Sequence, residues 1–210
     1  EIENNPDGTD VNPNLYEMAR GADGRLLVND AGGNTTFAVD ATTGEFELIA
    51  TYPLLGQLPG GDALPAEVAE FQAVPTGIAV AGANTFIGFL GETWPEGAPS
   101  IVSFGADGTL SRVAGTLNFT VALAIGPDSN LYATQLAGPP VDDSGMPGPG
   151  RVVRVFGDGT LEPVIENLPA PHGVTFDVAG NMYVAVYSAF FSSLDAPVGQ
   201  VARFDGVAAV

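Results

Sequence analysis

One unit is written four times along this chain, and repetition of that kind decides what the rest of the sequence can fold into. Each copy opens with an apolar strand and a small turn, then a second strand rich in aromatic and β-branched residues, then a loop of variable length. A third strand, a tight glycine-containing turn and a fourth strand complete it. In the first copy Tyr16 to Ala19 leads through Gly21-Ala22-Asp23-Gly24 to Leu26-Leu27-Val28, then to Thr36 to Asp40, a turn ending at Gly44, and Phe46 to Ile49. The second runs from Ile78-Ala79-Val80 through Phe86-Ile87 to Ile101 to Phe104, Ala106-Asp107-Gly108 and Leu110 to Val113. The third has Ala122 to Ile125, Pro127-Asp128-Ser129-Asn130, Leu131-Tyr132, Val152 to Phe156, Asp158-Gly159 and Leu161 to Ile165. The fourth pairs Val174-Thr175-Phe176 with Met182-Tyr183-Val184, then Val201 to Phe204, Asp205-Gly206 and a short last strand to Val210.

Asp-Gly between alternating apolar segments is a hairpin signal, because the turn needs residues that tolerate positive φ. It recurs at one place in the last three copies, and Thr43-Gly44 does the same work in the first. The copies lie roughly 45 to 60 residues apart, a spacing that suits propeller blades with inserted loops. Four-stranded blades arranged radially protect their own edges. The sequence therefore predicts an all-β fold, a β-propeller with four four-stranded blades at about 12–53, 72–117, 118–168 and 169–210. Residues 1–11 read as a linker or the remnant of a preceding blade, and 54–71 as an insertion with one short helix from Pro65 through Phe71. A second insertion, Gly138 to Gly150, is dense in proline and glycine and falls between the second and third strands of its blade.

Composition excludes several partners. Acidic residues number 25 against 6 basic ones, all arginine, for a net charge of -19. Counterion release at a phosphate backbone and attraction to anionic lipid both need basic side chains, so nucleic acid and membrane surfaces are poor partners. The absence of cysteine removes disulfides, thiolate zinc sites and cysteine nucleophiles. The longest apolar stretch, around Met182 to Phe191, falls short of the ~18 residues of a membrane span. No signal-peptide pattern opens at Glu1, as expected of a mature, processed or partial chain.

Val74-Pro75-Thr76-Gly77-Ile78-Ala79-Val80, followed by Gly88-Phe89-Leu90-Gly91-Glu92-Thr93-Trp94-Pro95-Glu96-Gly97, resembles the ScyD/ScyE-type propeller family. Asn4-Asn5-Pro6-Asp7-Gly8, Asn12-Pro13 and Asn29-Asp30-Ala31-Gly32-Gly33-Asn34 are similar to the same family, and related patterns occur in NHL-type and gluconolactonase-type propellers. The resemblance implies a secreted or periplasmic six-bladed propeller without a defined activity for most members. It also implies that Asn4 to Asn12 joins an earlier blade, so that upstream blades lie outside this chain and another chain is a candidate for completing the ring.

Aligning the copies puts Tyr16, Thr76, Val121 and His172 in one register near the start of each innermost strand, where a propeller channel is lined. His172 is the only histidine and the one ready general base near neutrality, but no second acid or base repeats around it, so it is a weak catalytic candidate. Gluconolactonase-type propellers hold calcium in the channel with oxygen ligands, and by register the contributors here are Glu17, Asn118 and Asp177. Those three do not meet the pattern residue by residue, so no cofactor is expected and calcium is the one to test. Asn4 to Asp10 reads as a solvated turn rather than an EF-hand loop. Asn34 and Asn118 head N-glycosylation sequons, and Trp94 sits in a loop where an exposed aromatic can anchor a partner. The reading that follows is a binding or assembly module for a protein or small-molecule ligand, acting through blade loops and the channel mouth. The alternative is a calcium-assisted lactonase-like hydrolase or lyase working on a small molecule in the channel.

Overall fold

The computed structural model describes residues 12–52, 54–91, 98–115, 117, 119–138, 148–188 and 199–210. Among the described residues, fifteen strands form consecutive antiparallel meanders. The first blade is β1 (Leu15–Arg20), β2 (Leu26–Asp30), β3 (Thr35–Val39) and β4 (Phe46–Thr51), paired in that order. The second is β5 (Pro75–Ala81), β6 (Asn84–Phe89), β7 (Pro99–Phe104) and β8 (Ser111–Gly115). The third is β9 (Thr120–Ile125), β10 (Leu131–Gln135), β11 (Gly150–Val155) and β12 (Leu161–Leu168). The fourth comprises β13 (Val174–Phe176), β14 (Met182–Val186) and β15 (Gln200–Phe204).

The expected last strand to Val210 does not form. Residues 205–208 turn instead, and Ala208 N–H donates to the Gly180 carbonyl at 3.0 Å, which draws the chain across the end of the sheet rather than along β15.

Strand alternation gives each blade two apolar faces, and consecutive blades press them together. Ile78, Ile87 and Val102 face the first blade and join Leu27 and Ala38 in one core. Ala79 and Ile101, pointing the other way, pack with Leu123, Ala133 and Val153 of the third. Ala122, Tyr132 and Val152 then meet Val174, Met182 and Val184 of the fourth. The innermost strands β1, β5, β9 and β13 each lie against the next, so the four blades fan about one axis. This is the architecture of a β-propeller.

The 54–71 insertion carries a 3₁₀ turn over Leu55–Gln57 and a single helical turn, α1 (Ala66–Ala69). It does more than bridge two blades, because Leu55 and Leu58 are buried in the first interblade core. Between β10 and β11 the Gly138 and Gly148 backbones bridge the base of the second insertion.

Three non-glycine residues with left-handed backbone, Val74 (φ 56), Phe119 (φ 53) and Ala170 (φ 41), each stand two residues ahead of Thr76, Val121 and His172. Such a conformation costs of order 1 kcal/mol in a non-glycine residue. Its recurrence at one register marks where the chain turns inward to begin each innermost strand.

Candidate functional site

The inner ends of the blades are stitched by polar groups. Asn29, fully buried on β2, donates its amide to the Thr76 and Gly77 carbonyls at 3.0 and 3.1 Å and accepts from Thr36 Oγ1 at 2.7 Å. Thr36 in turn pairs with the Tyr52 hydroxyl, and Thr76 Oγ1 donates to the Thr120 carbonyl at 2.5 Å. One continuous network thus runs from the first blade to the third. Buried polar groups are tolerable only when satisfied, and here the Asn29 amide and the Thr76 hydroxyl find their acceptors on the next blade.

Tyr16 and His172 meet across the axis. The Tyr16 hydroxyl lies 2.5 Å from His172 Nε2, and the two rings stack with centroids 5.3 Å apart. Burial pushes the phenol up to about 12, with the nearby Glu17 charge a smaller cause, and burial pushes the imidazole down. Both groups are therefore neutral at pH 7, and when Tyr16 donates, the ring proton of His172 sits on Nδ1.

Glu17 occupies the register that holds Gly77, Ala122 and Gly173 in the other blades. Those small residues leave space, and the Glu17 carboxylate fills it. Its Oε2 accepts the Ile78 N–H at 2.9 Å, and the Leu123 N–H also donates to the carboxylate. A side chain of the first blade thereby caps inward-pointing amides of the second and third. Burial pushes its carboxyl up to about 7, opposed by those two donors.

Of the four residues that share this register, Tyr16 and His172 lie together, while Thr76 and Val121 are fully buried. Of the proposed metal ligands that are described, Glu17 and Asp177 do not meet. Asp177 lies in the β13–β14 turn, past the opposite end of β13 from His172, with its carboxylate accepting from Asn181, Tyr183 and Ala179. Asn118, Trp94 and the Asn4 to Asp10 turn fall outside the described residues. Among the described residues no group of three His, Asp or Glu side chains is placed to hold a metal ion. Asn34 is 1% exposed, its Nδ2 donates to Gln72 Oε1 at 2.7 Å and its Oδ1 accepts from Val74 N–H. That sequon asparagine is an interior strut, and a glycan on its amide nitrogen has no room in the folded chain. Sequence reasoning missed Asn29 and the capping role of Glu17. A glutamate at a register otherwise filled by glycine and alanine was the available signal.

No family model matches the chain, and no curated protein matches it in sequence. Solved structures do. Streptogramin B lyase superposes with a TM-score of 0.57 at 16% identity over 94% of this chain and 56% of that one. A gluconolactonase from Xanthomonas campestris gives 0.55 at 19% identity over 83% and 56%, and a chain of a nidogen/laminin complex gives 0.57 at 16% over 83% and 57%. At these identities the likeness is one of fold. The chain spans a little over half the length of these structures. No helix among the described residues is long and apolar enough to cross a membrane.

Proposed function

We propose that this chain works as a binding or assembly module of a secreted or periplasmic propeller, with its interaction surface on blade faces and loops rather than at a reacting centre in the channel. The observation that carries this reading is the state of the channel's polar groups. Tyr16 and His172 satisfy each other, and Glu17 is committed to two backbone amides, which leaves no free base or ligand cluster among the described residues there. Apolar surface is instead concentrated on the outward faces of the end blades, where Met18 is 61%, Phe46 71% and Val201 70% exposed.

A second reading, calcium-assisted hydrolysis or elimination on a small molecule in the channel, draws on neighbours named as a lyase and a gluconolactonase. Thermal melts with and without millimolar calcium separate the two, because a ligand bound only by the folded state must raise the midpoint. The module reading expects no shift. A rise of several degrees that disappears in Glu17→Gln would replace it with the metal-assisted one.

A further inference from the structure

The first two blades leave a gap at their turn ends that the next interface closes. Ile49 and Val113 are the bulged residues of β4 and β8, and Gly108 and Gly159 follow the aspartates of the β7–β8 and β11–β12 turns. Where the second and third blades meet, a Cβ on Gly159 would sit 2.9 Å from the Val113 carbonyl oxygen. Where the first and second meet, a Cβ on Gly108 would have nothing within 4 Å. A crevice of about 510 Å³ opens there, lined by Ile49 and the turn 105–108, and its size is that of a small-molecule site.

Its chemistry is divided by depth. Leu27, Thr85 and Phe104, at 7%, 6% and 5% exposure, form the floor. Among the described residues nothing hydrogen-bonds the Thr85 hydroxyl, although polar groups of residues this deep are ordinarily satisfied. The rim is acidic, with Asp23, Glu47 and Asp107. Arg25, the one basic residue lining the crevice, is already shared between Asp23 Oδ2 at 2.7 Å and Glu47 Oε2 at 2.8 Å. Asp107 Oδ1 accepts the Thr109 N–H at 3.1 Å, and its carboxylate meets no cationic group among the described residues.

We propose that this crevice binds a small organic cation that has an apolar ring and a hydroxyl at its far end. The ring lies against Leu27, Ile49 and Phe104, the hydroxyl pairs with Thr85, and the ammonium stays at the rim, where the carboxylates favour it. The proposal rests on the module reading and gives it a ligand class. The calcium melt tests that reading separately, so loss of this site leaves it standing.

Tyramine is the probe, followed through the amide shifts of Leu27, Gly105 and Gly108 by NMR on the 210-residue chain. Saturable shifts are expected, with an affinity about fivefold above that of 2-phenylethylamine, which lacks the hydroxyl. The charge-reversed 3-(4-hydroxyphenyl)propionate should bind more weakly than tyramine. Thr85→Val should erase the advantage of tyramine over 2-phenylethylamine and leave its advantage over the propionate. Asp107→Asn, which keeps an acceptor for Thr109, should shrink the second advantage and leave the first. Absence of saturable shifts, equal binding of the propionate, or a hydroxyl advantage that survives Thr85→Val would overturn the proposal. So would shifts centred on Tyr16 and His172.

Discussion

Tyr132→Ala should destabilise the protein by about 3–5 kcal/mol, the range for removing a large buried ring and leaving a cavity. For a chain of this length that is a fall of roughly 10 °C in Tm. Tyr132 is fully buried in the core shared by the third and fourth blades, among Ala122, Val152, Val174 and Met182. Its hydroxyl also joins Asp128 to Arg154, so Tyr132→Phe should cost about 1–2 kcal/mol, the loss of hydrogen bonds to charged partners. Tyr183→Ala removes the same side chain where it is only half-buried and should cost several-fold less than Tyr132→Ala. Denaturant unfolding of the three variants checks this ordering. Equal costs for Tyr132→Ala and Tyr183→Ala would mean that the third and fourth blades do not share a core.

Glu17 should make the protein less stable as pH rises from about 4.5 to about 7. The folded chain holds the Glu17 proton more tightly than the unfolded chain, because burial raises its pKa from 4.5 to about 7. A group raised in this way contributes its stability fully below the unfolded value, and that contribution is lost as pH passes through the folded one. The span corresponds to about 3 kcal/mol at 1.4 kcal/mol per unit. Glu17→Gln keeps an oxygen for the Ile78 amide but does not ionise. At pH 8 it should be more stable than the parent by up to that amount, with the gap closing toward pH 4. The difference between the two proteins cancels the opposite contribution of His172, whose depressed pKa favours the folded state at higher pH. A gap that does not change with pH would show that the Glu17 carboxyl is not the buried acid described.

The all-β propeller arrangement of strands was legible in the sequence because Asp-Gly turns and alternating apolar residues are local signals that the repeat multiplies. Tyr16 and His172, 156 residues apart, share one register of the repeat, but the register alone does not say that their side chains meet. The end of the fourth blade was not legible. Gly206-Val207-Ala208-Ala209-Val210 has strand-like composition, yet the Ala208 bond to Gly180 wins over pairing with β15. Nor could the sequence say that Thr76 and Val121 would be covered while their register-mates stay half-exposed, since that depends on how closely the inner strands approach. Gly77 lets β9 come so near that a Cβ there would sit 2.9 Å from the Leu123 side chain. Asn34 illustrates the same limit, because a sequon is a surface signal only if the asparagine is at the surface.

Convergence of the first and fourth blades on one axis is the claim on which the fold and the site both rest. Nuclear Overhauser contacts between the Tyr16 and His172 rings test it directly. Ring centroids 5.3 Å apart should give cross-peaks between their aromatic protons, together with a His172 that titrates below the ordinary histidine range. Assigned rings with no cross-peak and an ordinary histidine titration would contradict the radial arrangement.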